Sequence, residues 1–208
     1  GDKKLQGNWG ELVLERVLEA SGLRRGHEYD VQPGEHADSG ELKRPDVVVH
    51  LPDARDVVVD AKVSLAAWER AHAAEGEDAD AVREQALRRH AQDLRQQVVR
   101  LGNQRYDRLP GVQSPECVLL FVPVEAALGA ALEQDPRLVP DAVARRVIPV
   151  GPSTLLLALR IVEQTWRRDR QSREVETLAR RAGTLHDRLE GFVEELERMG
   201  RQLRTLER

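Results

Sequence analysis

Three side chains in this 208-residue chain have the types and spacing that hydrolytic chemistry needs: Asp46, Asp60 and Lys62. They sit on two valine-rich runs, Asp46-Val47-Val48-Val49-His50-Leu51 and Asp56-Val57-Val58-Val59-Asp60-Ala61, with Pro52-Asp53-Ala54-Arg55 between them. β-branched runs separated by a short polar turn predict a hairpin. Side chains alternate along a strand, so Asp60 and Lys62 share a face and Ala61 points the other way. A turn centred on Asp53 places Asp46 opposite Asp60, where Cβ atoms are about 4.5–5.5 Å apart on one face. The spacing thus predicts two carboxylates and an ammonium converging at one rim of a sheet.

Two carboxylates that close repel, and one stays protonated unless a cation lies between them. A hard divalent ion, Mg²⁺ or Mn²⁺, resolves the conflict, because Mg²⁺ takes one or two carboxylates, several waters and a substrate phosphate oxygen. Asp46 and Asp60 are the expected ligands, with the Ala61 carbonyl as a further oxygen and Glu11, early in the preceding helix, as a third carboxylate. Such an ion acidifies a bound water and offsets charge on a phosphoryl transition state. Lys62 would orient that water or stabilise the phosphate charge. Only four of the 32 Lys and Arg residues are lysines, at positions 3, 4, 43 and 62. A chain that otherwise uses Arg has a compact point charge two residues after a strand Asp.

Each residue also has a plainer explanation. Asp46 follows Pro45 at a strand start, Asp60 ends a strand, and Lys62 is the kind of residue that guards an edge strand. Glu11 stands three residues after Asn8, the spacing of a capping box, and Glu15, one turn on, is its rival as a ligand. His50 reads as a satisfied sheet histidine and His90 as a solvated helix histidine. Glu125 either supports the site or simply begins a helix near its macrodipole. Arg167, Arg168, Arg170 and Arg173 cluster within seven residues and either contact DNA phosphates or form a solvated helix face.

The elements that would hold the site alternate between strand and helix. A helix is expected over 8–20, ended by Ser21-Gly22, then a short edge strand over 27–32 and a loop over 33–43. After the hairpin, a helix starts within 63–70, 72–80 is an acidic surface stretch, and 81–101 is an amphipathic helix carrying Val82, Leu87, Leu94, Val98 and Leu101. An apolar strand over 117–122, a helix over 124–133 and a strand over 147–150 follow. Ser153 or Thr154 then caps a further helix. From Val175 to Leu206, apolar residues recur at alternating spacings of three and four, a heptad seam that predicts a coiled coil; the seam is a homo-oligomer interface, a pairing with upstream helices or the face of a helix folded back on the domain. The expected fold is α/β, with a core over 5–165 and a heptad helix over 166–208.

Composition narrows the classes. Net charge is −4 and aromatics are 3% of residues, so no global basic signature advertises nucleic-acid binding, though a local patch is compatible. One cysteine, Cys117, excludes an intrachain disulfide framework or thiolate zinc site. A reducing, cytoplasmic setting is the expectation.

The surroundings of the acidic residues are more specific. Pro45-Asp46 followed by Asp60-Ala61-Lys62 resembles the PD-(D/E)xK nuclease motif. Gly7-Asn8-Trp9-Gly10-Glu11-Leu12, Arg44-Pro45-Asp46-Val47-Val48-Val49, Val59-Asp60-Ala61-Lys62-Val63-Ser64-Leu65, Phe121-Val122-Pro123-Val124-Glu125 and Arg180-Arg181-Ala182-Gly183 together resemble the RmuC family, bacterial DNA recombination proteins predicted to be nucleases. That resemblance implies a restriction-endonuclease-like core, a mixed sheet flanked by helices. It also implies DNA as partner, a role in limiting genome rearrangement, nucleoid association, and an upstream segment with a membrane anchor and coiled coil. It carries Asp46, Asp60, Lys62 and Glu11 over as site residues. A different class also fits the sequence: a DNA-structure-binding or scaffold protein that keeps the nuclease fold and works through its coiled coil.

Overall fold

The computed structural model describes residues 2–33, 45–104, 112 and 116–206. Helix α1 (Asp2–Ser21) leads to strand β1 (Tyr29–Val31), then β2 (Val47–His50) and β3 (Asp56–Asp60). Helices α2 (Ala66–His72) and α3 (Ala79–Gly102) connect β3 to β4 (Cys117–Phe121). Helices α4 (Glu125–Gln134) and α5 (Leu138–Val143) connect β4 to β5 (Val147–Val150), and α6 (Pro152–Leu206) closes the order. The sheet runs β1-β2-β3-β4-β5, antiparallel over its first three strands and parallel from β3 onward. Helical crossovers make the parallel pairs possible, and a tight turn joins the antiparallel pair β2–β3. The chain is therefore mixed α/β, and β1 is the edge strand expected near 27–32. The expected loop over 33–43 lies, beyond residue 33, outside the described residues.

Strand alternation assigns two layers. Val48, Val58, Val118 and Leu120 pack with Leu94, Val98 and Leu101 of α3 and with Ala127, Leu128 and Leu138 of α4 and α5. Residues of the other parity, Val47, Val49, Val59, Leu119 and Phe121, are buried outside that cluster and face the opposite side. Buried apolar residues of α1 (Leu14, Val17, Leu18) and of early α6 (Leu155, Leu159) are left to cover it. These two helices meet at Gly22, where an added Cβ would lie 3.7 Å from Glu163 Cγ. Gly22 ends α1 with a φ of 81°, a left-handed conformation that glycine adopts without penalty. Arg95 fastens α3 to the α4–α5 corner through Asp135 and Asp141, at 2.5 and 2.6 Å.

Several local expectations change. Helix α1 starts at Asp2, so Asn8 is interior and no capping box forms there; Lys3, Lys4, Leu5 and Gln6 are all good helix formers. His90, expected on a solvated face, is wholly buried and donates from Nε2 to the Ala127 carbonyl at 3.0 Å. Burial pushes its pKa down, and that carbonyl bond only partly offsets the effect. Neither Ser153 nor Thr154 caps α6, which begins at Pro152; the Ser153 N–H instead donates to Glu125 Oε2 at 3.2 Å. Helix α5 lies in a stretch the sequence left unassigned, and its Pro140 falls in the first turn, where proline is tolerated.

The chain divides into two compact units, Gly1–Thr165 and Trp166–Arg208. The second is wholly helical to Leu206. In it, Val175, Leu178, Leu185, Leu189 and Phe192 are each at least 60% exposed.

A candidate acidic site on the β2–β3 hairpin

The hairpin register is the one the turn spacing predicts. Val47 pairs with Val59 and His50 with Asp56, so the ladder centres on Asp53 and its continuation sets Asp46 opposite Asp60. Ala54 takes a positive φ of 59° in the connecting turn. Beyond it, the Leu51 N–H donates to the Arg55 carbonyl at 2.8 Å. Parity places both carboxylates on the α3 side, in line with Val48 and Val58.

Both carboxylates are buried, Asp46 to 5% exposure and Asp60 to 3%. Burial of a carboxylate is costly unless donors compensate. Asp46 Oδ2 accepts the Ala61 N–H at 2.8 Å, and Oδ1 accepts the Lys62 ammonium at 2.5 Å. Asp60 Oδ1 accepts the Lys62 N–H at 3.2 Å and Gln97 Nε2–H at 3.3 Å. The chain leaves the sheet at this point: the Val63 N–H turns back on the Ala61 carbonyl at 2.9 Å, and α2 begins at Ala66. Lys62 is 48% exposed at its side chain, so its charge lies between a buried carboxylate and solvent.

Gln97 was not anticipated. The available signal was a polar residue among Leu94, Val98 and Leu101, the buried stripe of α3; a half-buried glutamine in such a stripe needs a polar partner. Glu11 is exposed, and it follows Gly10, where an added Cβ would lie 3.5 Å from Pro123 Cγ and 4.0 Å from the Ala61 carbonyl oxygen. Helix α1 therefore approaches the rim at Gly10, the residue before Glu11, and Glu11 lacks the capping role that would have explained it. Glu15 is likewise exposed.

The remaining candidates are placed elsewhere. His50 is held by Asp56 at 2.7 Å and Asp30 at 3.1 Å, a satisfied sheet histidine. Burial alone would lower its pKa, but the two carboxylates outweigh burial and raise it. Glu125 contacts the start of α6. Arg167, Arg168, Arg170 and Arg173 lie on α6 in the second unit, where Arg173 pairs with Asp169 at 2.9 Å.

Among the described residues, no group of three or more His, Cys, Asp or Glu side chains is arranged to hold a metal ion. The oxygens present still suit a hard cation. By the continued register two buried carboxylates fall opposite one another, and the half-exposed Lys62 ammonium pairs with Asp46. An ion bound by Asp46 and Asp60 would keep its other positions for water and a phosphate oxygen.

A family model describing the RmuC family matches residues 1–208. The chain belongs to the RmuC family. It is 47% identical over 200 residues to a Vibrio cholerae protein named DNA recombination protein RmuC homolog, covering 96% of this chain and 38% of that one. A Pseudomonas aeruginosa protein of the same name is 46% identical over 206 residues, covering 99% and 45%. The DNA recombination protein RmuC of Escherichia coli K12 is 44% identical over 203 residues, covering 98% and 42%. The chain thus spans about two fifths of the length of the curated relatives it matches. No solved structure matches it. Among the described residues, no helix is long and apolar enough to cross a membrane.

Proposed function

We propose that this RmuC-family chain is a metal-dependent nuclease of the PD-(D/E)xK type that hydrolyses DNA phosphodiester bonds and serves DNA recombination. One observation carries the reading. The hairpin register, continued by one pair, sets Asp46 opposite Asp60, both nearly sealed from solvent, with Lys62 joined to Asp46 and half exposed. Burying two carboxylates together is costly to a fold and is only partly offset by the donors each accepts from. The fold does gain a place for a cation and an adjacent positive charge aimed outward.

Asp46 and Asp60 would hold Mg²⁺ or Mn²⁺, with Glu11 as the carboxylate that could approach from α1. When bound, the ion supplies an acidified water and charge neutralisation at the phosphate. Lys62 offers its ammonium to the phosphate or the attacking water. Gln97 orients Asp60, and the Ala61 N–H orients Asp46. The sheet, with crossover helices on one face and α1 and α6 left for the other, is compatible with a restriction-endonuclease-like core. The relatives' names supply the recombination context.

The test is a cleavage assay on duplex, single-stranded and junction DNA, with and without Mg²⁺ or Mn²⁺, comparing wild type, Asp60→Asn and Lys62→Ala. Metal-dependent cleavage lost in both variants is expected. Equal product from wild type and Asp60→Asn overturns the reading. A second reading, a scaffold acting through its heptad helix, is favoured by the exposed seam from Val175 to Phe192. It requires that seam substitutions, and not Asp60→Asn, abolish the recombination phenotype.

A further inference from the structure

A second feature lies further along α3, the helix that supplies Gln97 to the acidic site. Helix α2 begins four residues after Lys62, and α3 comes back to the site, since its Gln97 touches Asp60. The two helices pack on each other and leave a cavity of about 460 Å³ between them. Ala66, Ala67 and Ala86 line it with little side chain, while Arg70, Arg89 and Asp93 supply its charge. Arg89 Nε donates to Asp93 at 2.9 Å, which holds the guanidinium in place. Arg70 and Arg89 are both exposed, so the cavity carries two cations and one anion and opens to solvent.

Arg89, Asp93 and Gln97 follow one another at four-residue steps and therefore lie along one face of α3. The eight residues from Arg89 to Gln97 span about 12 Å of helix. One DNA strand advances about 3.4 Å per phosphate, so the arginines stand some three or four nucleotides from the carboxylates. Arginine forks match phosphate oxygens in two-point contacts, and small alanines let a backbone approach closely.

We infer that the α2–α3 cavity is a phosphate-binding groove in which Arg70 and Arg89 hold the DNA strand a few nucleotides from the bond that is cut. The inference rests on the nuclease reading for its placement, while its ligand chemistry is independent of cleavage. The phosphate it takes is either an internal phosphodiester or a terminal 5′-phosphate. The first suits cutting within a strand, and the second suits cutting measured from an end.

The test is binding of the full chain to fluorescent oligonucleotides in EDTA over a series of salt concentrations. Internal sites are probed with a 5′-hydroxyl oligonucleotide, and the end with its 5′-phosphorylated twin. Each phosphate contact contributes about 0.7–0.9 to the slope of log affinity against log salt. Arg70→Gln plus Arg89→Gln is expected to flatten that slope by about 1.4–1.8, and Arg70→Lys plus Arg89→Lys to restore most of it. If the slope falls on the 5′-hydroxyl strand, the contact is internal. If it falls only on the phosphorylated strand, the contact is terminal. Both results support the groove. A slope unchanged by the Gln pair overturns the groove and leaves the nuclease reading standing. If the Gln pair shows the expected slope loss but wild type cleaves nothing in Mg²⁺ or Mn²⁺, the nuclease reading is overturned and the groove is kept. Wild type that binds no oligonucleotide overturns the groove outright. Melting curves of each variant identify any loss that comes from unfolding.

Discussion

Removing Lys62 isolates the electrostatics of the site. Lys62→Met keeps most of the aliphatic stem and deletes the ammonium that Asp46 accepts at 2.5 Å. Breaking a fully buried pair costs about 3–5 kcal/mol, because one charge is left stranded. Breaking an exposed pair costs about 0.2–1 kcal/mol. Here Asp46 is 6% exposed at its side chain and Lys62 48%, so water can replace the ammonium on one side, and the Ala61 N–H stays on the other. The expected cost is about 1.5–2 kcal/mol, between the two limits. For a chain of this size that lowers Tm by about 3–8 °C.

Asp46→Asn is expected to cost about 1 kcal/mol, since its amide oxygen keeps the Ala61 bond while the charge-assisted one is lost. The double variant should then cost about as much as Lys62→Met alone, a coupling of about 1 kcal/mol in a urea-denaturation cycle. Single costs that add to within about 0.3 kcal/mol would refute the pairing. Repeating the cycle in millimolar Mg²⁺ extends the argument. A cation on Asp46 takes over the role of the ammonium, and the coupling should shrink. Coupling that Mg²⁺ does not change would sink the assignment of Asp46 as a ligand.

Saturating Mg²⁺ should raise Tm in wild type and not in Asp60→Asn; at about 100 times its Kd an ion adds about 2.7 kcal/mol, and a flat response in wild type counts against the metal site. Because Asp56 and Asp30 raise the His50 pKa, its stabilisation is complete below the unfolded value near 6.5 and is lost as pH rises through the folded value. The stability gap between wild type and His50→Gln should therefore be wider at about pH 6 than at about pH 8, and equal gaps would contradict the assignment. Glu125→Ala should lower stability by about 0.3–1 kcal/mol through loss of a carboxylate at the start of α6; Gly151→Ala should act alike, because its Cβ would collide with that carboxylate, and thermal melts decide both. Leu185→Asp plus Leu189→Asp should convert an oligomer to monomer in sedimentation, whereas wild type that is monomeric at high concentration refutes self-association through the seam.

The strands were legible because two signals agreed at each. In the hairpin, alternation and a four-residue turn specify one register, and a one-residue slip would expose the valines. In β4, an unbroken apolar run reads as a strand covered on both faces. Helix ends were less legible, since they depend on partners distant in sequence. The Ser153 N–H needs Glu125, 28 residues earlier. Helix α6 reads in sequence as two pieces, one from Ser153 or Thr154 and one with a heptad seam, yet it is a single helix of 55 residues. Gly183 and Gly191 each weaken a helix by about 0.8–1 kcal/mol without providing a stop.

Within the site, the same division separates what is local from what is not. Asp46, Asp60 and Lys62 follow from register, which 17 residues of sequence determine. The Gln97 contact spans 37 residues and depends on the angle at which α3 returns over the sheet, which no spacing encodes. Glu11 and Glu15 are one turn apart and equivalent in sequence. The fold separates them, because Gly10 marks where α1 meets the rim, against Pro123 and the Ala61 carbonyl. From there α1 runs away from the rim towards Ser21, burying Leu14 and Leu18 on the way. Each helical turn adds about 5.4 Å. Glu11 directly follows that point of contact and Glu15 stands one turn beyond it, yet both are exposed, and among the described residues no three His, Cys, Asp or Glu side chains gather to hold an ion.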